Sequence, residues 1–449
     1  MMPTDRFERQ LPELLTELAE PRTPAYFDDL LGLTARTSQR PAWTLLERWI
    51  PMFEIARQPV HAPPIPWRAI GILVMLVVGL AVGLLLIVGA LPKVPEPFGL
   101  ARNGQIAFAR DGDIFVADPI TGDAHAVVVG PQLDAGPVFS LQGTQLAFLR
   151  EGPGPGERLI VAEADGSKAL EIAGPLVATE TIAWSPDGLS IAVGSSVGGQ
   201  PTITIVAADG SGARTLDFRM AAQAPAWRPP SGDQLLFRGG STDTGLYLVD
   251  PDGTNLRQLA LTPEGGLLDF FGTTWSPDGR ELAFHYQEVL PRGAAHPYDG
   301  ARVHIASISD LGLVEAHRKL EFDPDAQCEC WARWSPDGRQ LLVRHSYTTL
   351  SGQAVIEPMV VSTDGSQALA VGAATTNVQA AGDRQGTVPF DGFPGSPTGI
   401  GFEWAPDGAS IVAIHFRDDS TWLLNPVTGE ETRVDFGTDR TPSWQRLAP

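Results

Sequence analysis

Cysteine is nearly absent: Cys328 and Cys330 are the two in 449 residues, which excludes a scaffold built on disulfides. Basic residues are scarce too, with 32 Lys and Arg against 53 Asp and Glu and a formal net charge of −21. Nucleic acid needs clustered Lys and Arg to meet its phosphates, so it is excluded as a partner. Long apolar runs are missing everywhere but one place. The 48 glycines and 39 prolines are plentiful but below the level of a low-complexity chain, and 43% hydrophobic content supports a packed core.

The one long apolar run is Ala69 to Leu91, 23 residues without a charge. As a helix it is long enough to cross a bilayer core of about 30 Å. Trp67 and Arg68 precede it and Pro92 and Lys93 follow, side chains suited to a membrane boundary. The run begins too late and is too long for a secretory signal peptide, so it reads as a retained signal-anchor. Gly79 and Gly83 make a G-x-x-x-G pair that lets two such helices approach. Flanking charge does not orient the span, because Arg48, Arg57 and Arg68 are matched by Lys93, Arg102 and Arg110.

Residues 1–68 carry eight Arg, no Lys and nine acids, leaving a net charge of −20 for the remainder. Proline punctuates this tail into short helices with apolar faces, among them Leu14, Leu15 and Leu18, then Phe27, Leu30 and Leu31, then Trp43, Leu46 and Trp49. Such a segment buries only a marginal core by itself. It reads either as a small bundle lying on the membrane surface or as a docking site for a cytoplasmic protein. Residues 92–103 form a linker.

From 104 to 449 the chain is an array. Trp184, Trp275 and Trp334 each open the same five letters, Trp-Ser-Pro-Asp-Gly, and Trp404 opens Trp-Ala-Pro-Asp-Gly. Looser copies begin at Phe139 and Trp227. Recurrence at such intervals marks a stacked or circular repeat. In each copy a strand ends at the aromatic anchor, Pro presets φ in the turn, Asp binds the backbone and Gly takes positive φ. A second strand with apolar residues at every other position follows, for example Leu282 and Phe284. A third strand runs into a further turn such as Asp364-Gly365-Ser366 before a fourth. Trp444 opens a last copy that has one strand, while Gln105 begins a copy that lacks its first. The expected fold is therefore all-β: a seven-bladed β-propeller closed by the C-terminal strand, preceded by the helical tail and one transmembrane helix.

The units Trp275 to Phe284 and Trp334 to Val343 resemble the TolB-type, WD-like propeller repeat of bacterial periplasmic proteins, over about 104–449. The resemblance implies an extracytoplasmic propeller that binds other macromolecules. TolB itself has six blades and an N-terminal α/β domain, so its partners do not carry over. The segment Phe7 to Met52 resembles the cytoplasmic leaders placed before a single span in bacterial sensor proteins, anti-sigma-like ones included. The tail as a whole, residues 1–68, has His61 as its one histidine and no Cys, without the zinc-binding pattern of many anti-sigma domains.

Repeats assign the turns to one face and the longer insertions to the other, and long loops on a rigid scaffold commonly carry binding. The insertions are 151–156, 287–300, 346–353 and about 371–401. Three residues end second strands eleven positions after their anchors: Tyr286, His345 and His415. With His296 in an adjoining loop they either line a pocket or stand as ordinary surface side chains. Cys328 and Cys330, read as a loop on this face, lack the further ligands of a zinc site and read as an oxidised pair. No metal, cofactor or catalytic group is expected. Gly194 to Gly198 fits G-x-S-x-G around Ser195 but lies between strands, without the helix of a nucleophile elbow. The expected function is a membrane-anchored, non-enzymatic module that binds a protein, peptide or glycan outside the cell and signals through the span. The alternatives are a lyase- or cyclase-like enzyme on the propeller rim and a passive surface scaffold.

Overall fold

The computed structural model describes residues 71, 73–79 and 96–448, apart from internal stretches at 155, 177–181, 198, 241–244, 262–272, 288–300, 324–325, 327, 350–353, 373–374, 377–399, 416–419, 435 and 437–441. The chain divides into two units, Met1–Ala90 and Leu91–Pro449. In the first, residues 71 and 73–79 are helical. Leu73, Val74, Met75, Leu76, Val77 and Val78 are all exposed. The tail, Gly83 and most of the expected span lie outside the described residues, and among the described residues no helix is long and apolar enough to cross a membrane.

Among the described residues the second unit is strand and turn. Among the same residues it holds five four-stranded sheets and one of nine strands. Pairing in the four-stranded sheets is antiparallel and, with one exception, follows chain order, as in 134–176, 182–216, 222–258 and 400–434. The nine-stranded sheet contains two such meanders, 274–319 and 328–370, joined by one parallel pairing between Ala301 and Cys328. The exception is the sheet at the N-terminal end, where the C-terminal strand Ser443–Leu447 pairs with Arg102–Arg110 and supplies its missing first strand. That pairing covers a sheet edge that would otherwise be an open template for association.

Apolar residues are buried between successive meanders. Leu149, Leu159 and Val161 pack with Trp184, Ile191 and Val193 of the next sheet, and Ala283, Val303 and Ile305 pack with Trp334, Leu341 and Val343. The last meander packs on the first: Phe108 meets Phe436 at 5.0 Å between ring centroids, beside Val412 and Trp444. Each fully buried Leu, Ile or Phe contributes roughly 1.5–3 kcal/mol. Period-two strands can deliver that burial only with a sheet on either side, so no single unit stands alone.

The repeated turn accounts for its own letters. In Ser335 to Gly338 the Ser335 hydroxyl donates to Asp337 Oδ1 at 2.6 Å, Asp337 Oδ1 accepts the Arg339 N–H at 3.1 Å, and Gln340 N–H donates back to Ser335 Oγ at 3.0 Å. The same bonds recur at Ser185 and Ser276. The anchor tryptophan reaches further. Trp184 Nε1 donates to Val138 O, Trp227 to Ala183 O, Trp334 to Thr274 O and Trp404 to Arg333 O, at 2.9–3.3 Å. In every case the acceptor lies just before the anchor of the preceding unit. These four repeats each fasten themselves in this way to the one before.

One copy departs from this scheme. Arg228 stands where the copies at Phe139, Trp184, Trp275 and Trp334 have Ser, and its buried guanidinium donates to Gly279 O, Gln234 Oε1 and Ile308 O at 2.8–3.0 Å. It also lies over the Trp275 ring, 5.1 Å from the centroid. Trp275 has no indole acceptor among the described residues, and the arginine supplies the tie between these two units instead.

Candidate functional site

Second strands end on the face opposite the turns, and the register places one residue of each at an equivalent point. His345, on the strand Gln340–Thr348, pairs across the sheet with Glu329 on one side and Glu357 on the other. Directly opposed residues of neighbouring strands share a sheet face, so the three side chains converge. His345 Nε2 lies 2.9 Å from Asp323 Oδ2 and Nδ1 lies 3.2 Å from Glu357 Oε1. Both ring nitrogens thus face carboxylate oxygens. His345 is buried, at 3% exposure, rather than the surface side chain that spacing alone allows. Tyr347 packs beside it, with ring centroids 5.3 Å apart.

Behind this histidine sits Glu329, whose side chain is 1% exposed. Its Oε1 accepts the Asp323 N–H at 3.2 Å, while Oε2 has no hydrogen-bond partner among the described residues. Arg302 Nε approaches Oε2 to 3.9 Å, a charge contact too long for a hydrogen bond. Burial pushes the Glu329 carboxyl up to about 7, against the opposing pull of Arg302. Between about 4.5 and about 7 the folded chain keeps a proton on Glu329 that the unfolded chain has released. Rising pH therefore opposes folding through this group over that window. The stability difference between Glu329→Gln and wild type is expected to move in favour of the variant as pH rises from about 4.5 to about 7 and then to level off. Denaturant midpoints taken across that range check this, and a pH-independent difference would count against a buried, proton-holding Glu329.

The strand Cys328–Trp334 that carries Glu329 is itself unusual. Cys328 is disulfide-bonded, and the chain has one other cysteine, Cys330. Both stand on a strand rather than in the loop expected from sequence. The pairing slips between Cys330 and Arg333, where Trp331 takes a φ of +52°. A bulky residue in that left-handed region costs on the order of 1–3 kcal/mol and needs surrounding structure to hold it. Burial of the Trp331 ring and Arg344, stacked at 4.4 Å, supply that support.

The other sequence-predicted residues fare differently. Tyr286 and His415 occupy the expected strand ends, opposite Arg302 and Ser420, and His296 lies outside the described residues. The side chains of Tyr286 and His415 lie outside the description as well. Among the described residues no group of His, Cys, Asp and Glu is arranged to hold a metal ion. Ser195 is on a strand, with its hydroxyl 2.7 Å from Thr204 Oγ1, so the G-x-S-x-G letters form no elbow. Gly79 is helical with open space at its Cβ position, while its partner Gly83 is outside the described residues.

Sequence reasoning missed Asp323, Glu329, Glu357 and Arg302. It also missed Arg150, which the eleven-residue spacing from Phe139 picks out. Arg150 occupies the place of His345 in another unit, and its guanidinium grips the buried Asp134 through two bonds of 2.7 Å. Asp134 and Glu329 each lie five positions before their anchors and each pairs with the eleventh residue after. A depression of about 290 Å³ beside Arg150 is lined by Glu151, Arg158 and Glu171 among others.

No family model matches the chain. A stretch of 127 residues is 28% identical to the protein TolB homolog of Chlorobaculum tepidum, covering 28% of this chain and 29% of that protein, so less than a third of the relative's length is spanned. Among solved structures, oligogalacturonate lyase from Vibrio parahaemolyticus superposes with a TM-score of 0.53 at 14% identity, over 75% of this chain and 93% of that one. An oligogalacturonate lyase in complex with manganese gives 0.51 at 15% identity, over 76% and 95%. The tricorn protease gives 0.51 at 13%, over 80% of this chain and 36% of that one. The fold is a β-propeller. Identities this low speak for the blades and their arrangement, not for chemistry.

Proposed function

We propose that this chain is a membrane-anchored, extracytoplasmic binding module, with residues 1–68 in the cytoplasm, 69–91 crossing the membrane and the propeller from 104 onward outside. The blade number we infer is seven. Support comes from the four-stranded sheets together with the two meanders inside the nine-stranded one, and from sheet-to-sheet packing that returns from the last meander to the first. The anchor reading is supported by residues 73–78, helical and bearing large apolar side chains that are all exposed. A helix apolar on every side is suited to lipid.

The observation that carries the binding reading is the division of labour between the two ends of the strands. At the turn end, Ser, Asp and Gly are committed to hydrogen bonds within each repeat. At the other end stands a buried histidine set between carboxylates. Charged groups are held there at a cost that turn-forming does not explain. A protein, peptide or glycan meeting this loop face is the reading the geometry favours, and transmission through the span to the tail is its extension.

Crosslinking of the full chain in its native membrane, followed by mass spectrometry, tests this. Crosslinks to a partner are expected from 151–156, 287–300, 346–353 and 371–401, and not from the Asp-Gly turns. Crosslinks confined to the turn face would reverse the assignment. Loss of a transcriptional or stress response on deleting 1–68 supports signalling, and an unaltered response favours a passive scaffold.

A further inference from the structure

The chain enters the propeller at its turn end and is fastened there. Arg446 Nη2 donates to Glu96 O at 3.1 Å and to Gly99 O at 2.7 Å. Ala101 N–H donates to Pro406 O at 2.9 Å, and Asn103 Oδ1 accepts the Asp407 N–H at 3.1 Å. Pro406 and Asp407 belong to the repeated turn after Trp404. Leu91, where the long apolar run ends, stands five residue steps before Glu96, and a chain of five steps spans at most about 18 Å. A run that crosses a bilayer therefore holds this end of the propeller close to the lipid surface.

In an antiparallel meander the turn after the third strand lies at the same end as the turn after the first, and these outer turns differ in what they expose. At Asp165, Asp209, Asp252 and Asp364 an acid stands at the tip and its carboxylate accepts the N–H two residues on. The first and last sheets have longer turns, Asp118 to Gly122 and Asn425 to Gly429. There the acceptors are Asp118 Oδ1 and Asn425 Oδ1, which bind the N–H groups of Ile120 and Val427. Ile120, 90% exposed, and Val427, 78%, then take the tips. Those two sheets are neighbours, packed through Phe108 and Phe436. They are also the two to which the entering chain is fastened, and Leu100 lies exposed there by Gly408. Leu311 puts a third apolar tip on the meander 274–319, and Leu189 is exposed on an inner turn.

We propose that Leu100, Ile120 and Val427 form a lipid-docking edge, on which the first and last sheets rest in the headgroup layer of the bilayer while the acidic tips of the meanders from 134 to 258 face water. An exposed apolar residue on its own is ordinary. Here such residues gather at the point where the chain comes in from the apolar run, which is what selects lipid as the occupant. Two further features fit it. The tips stand as separate side chains on turns rather than as a groove or flat face shaped for a protein, and they enter a fluid boundary without a matching surface. Their backbone N–H groups are already bonded to Asp118 and Asn425, as a medium poor in acceptors demands. An ionised aspartate at the tip is unsuited to that medium, so the four acidic turns do not share the role. The inference rests on the anchor reading above and adds what the turn end does.

The test places the full chain in vesicles of zwitterionic phosphatidylcholine, where its acid excess meets no like charge. A nitroxide is attached at Ile120→Cys, at Val427→Cys or, as the water-facing control, at Ser211→Cys, all exposed positions. Collisions with oxygen and with a water-soluble nickel chelate are then compared. Labels at 120 and 427 are expected to favour oxygen, to lose most nickel collisions relative to 211, and to lie about 5–10 Å into the boundary between headgroups and acyl chains. Nickel collisions at 120 and 427 equal to those at 211 overturn the proposal. Shielding from both reagents overturns it too, in favour of a protein partner or a second copy. Alkaline carbonate extraction of the same vesicles reports the anchor separately. A chain that resists extraction with its tips in water keeps the anchor and loses the docking edge. One that is extracted, although its tips sat in lipid beforehand, keeps the edge and loses the anchor.

Discussion

Trp334→Ala is expected to destabilise the protein by about 3–5 kcal/mol, the range for removing a large aromatic side chain from a packed core. Trp334 is 7% exposed and fills the space between two blades, against Ala283, Val303 and Ile305 of the preceding one. Its indole N–H also donates to Thr274 O at 3.2 Å. Trp334→Phe keeps most of the ring and loses the donor, leaving a carbonyl unpaired, for an expected cost of about 1–3 kcal/mol. The two variants therefore separate packing from hydrogen bonding at a blade junction. Chemical unfolding of the full chain measures both. Equal losses would mean that the bond, not the ring, holds the junction. A negligible loss in either would deny the anchor its fastening role.

Gly279→Ala has an expected effect of similar size, for a reason outside its own turn. Gly279 has a φ of +68°, and placing alanine there costs on the order of 1–3 kcal/mol. In addition, a Cβ at this position runs into the Pro229 carbonyl oxygen of the preceding blade's turn. Overpacking against backbone adds typically 1–3 kcal/mol. Gly338 provides the control: its φ is +71°, yet the nearest atom to a Cβ is Pro277 Cδ at 3.5 Å, an ordinary contact. Gly338→Ala is expected to carry the conformational penalty alone. Thermal unfolding midpoints of the two variants should thus differ, with Gly279→Ala the lower. Equal midpoints would show that the clash relaxes freely and that neighbouring turns are not interlocked.

The repeat is legible in the amino-acid sequence because its determinants are local. Ser-Pro-Asp-Gly makes a turn from bonds spanning a few residues, and alternation of apolar residues defines a strand wherever it occurs. Even the pairing of Ser443–Leu447 with Arg102–Arg110 follows from counting strands at both chain ends. The candidate site is legible only in its central residue. Spacing singles out His345 but describes it no better than Tyr286 or His415, since equal distance from an anchor says nothing about what lies opposite.

Sequence alone thus determined the array, its all-β class and the position of His345 at the end of a strand, because short-range bonding and side-chain periodicity set all three. Tertiary structure decided what surrounds that histidine. Glu329 and Glu357 reach it through register across two neighbouring strands, Asp323 comes from the segment before the blade and Arg302 from the blade before that. Burial then made a solvated group of charges into a linked one, in which His345 is shared by two carboxylates and Glu329 holds its proton near neutrality. Such linkage depends on distances of a few ångströms between residues far apart in the chain. It exists only once the blades have packed.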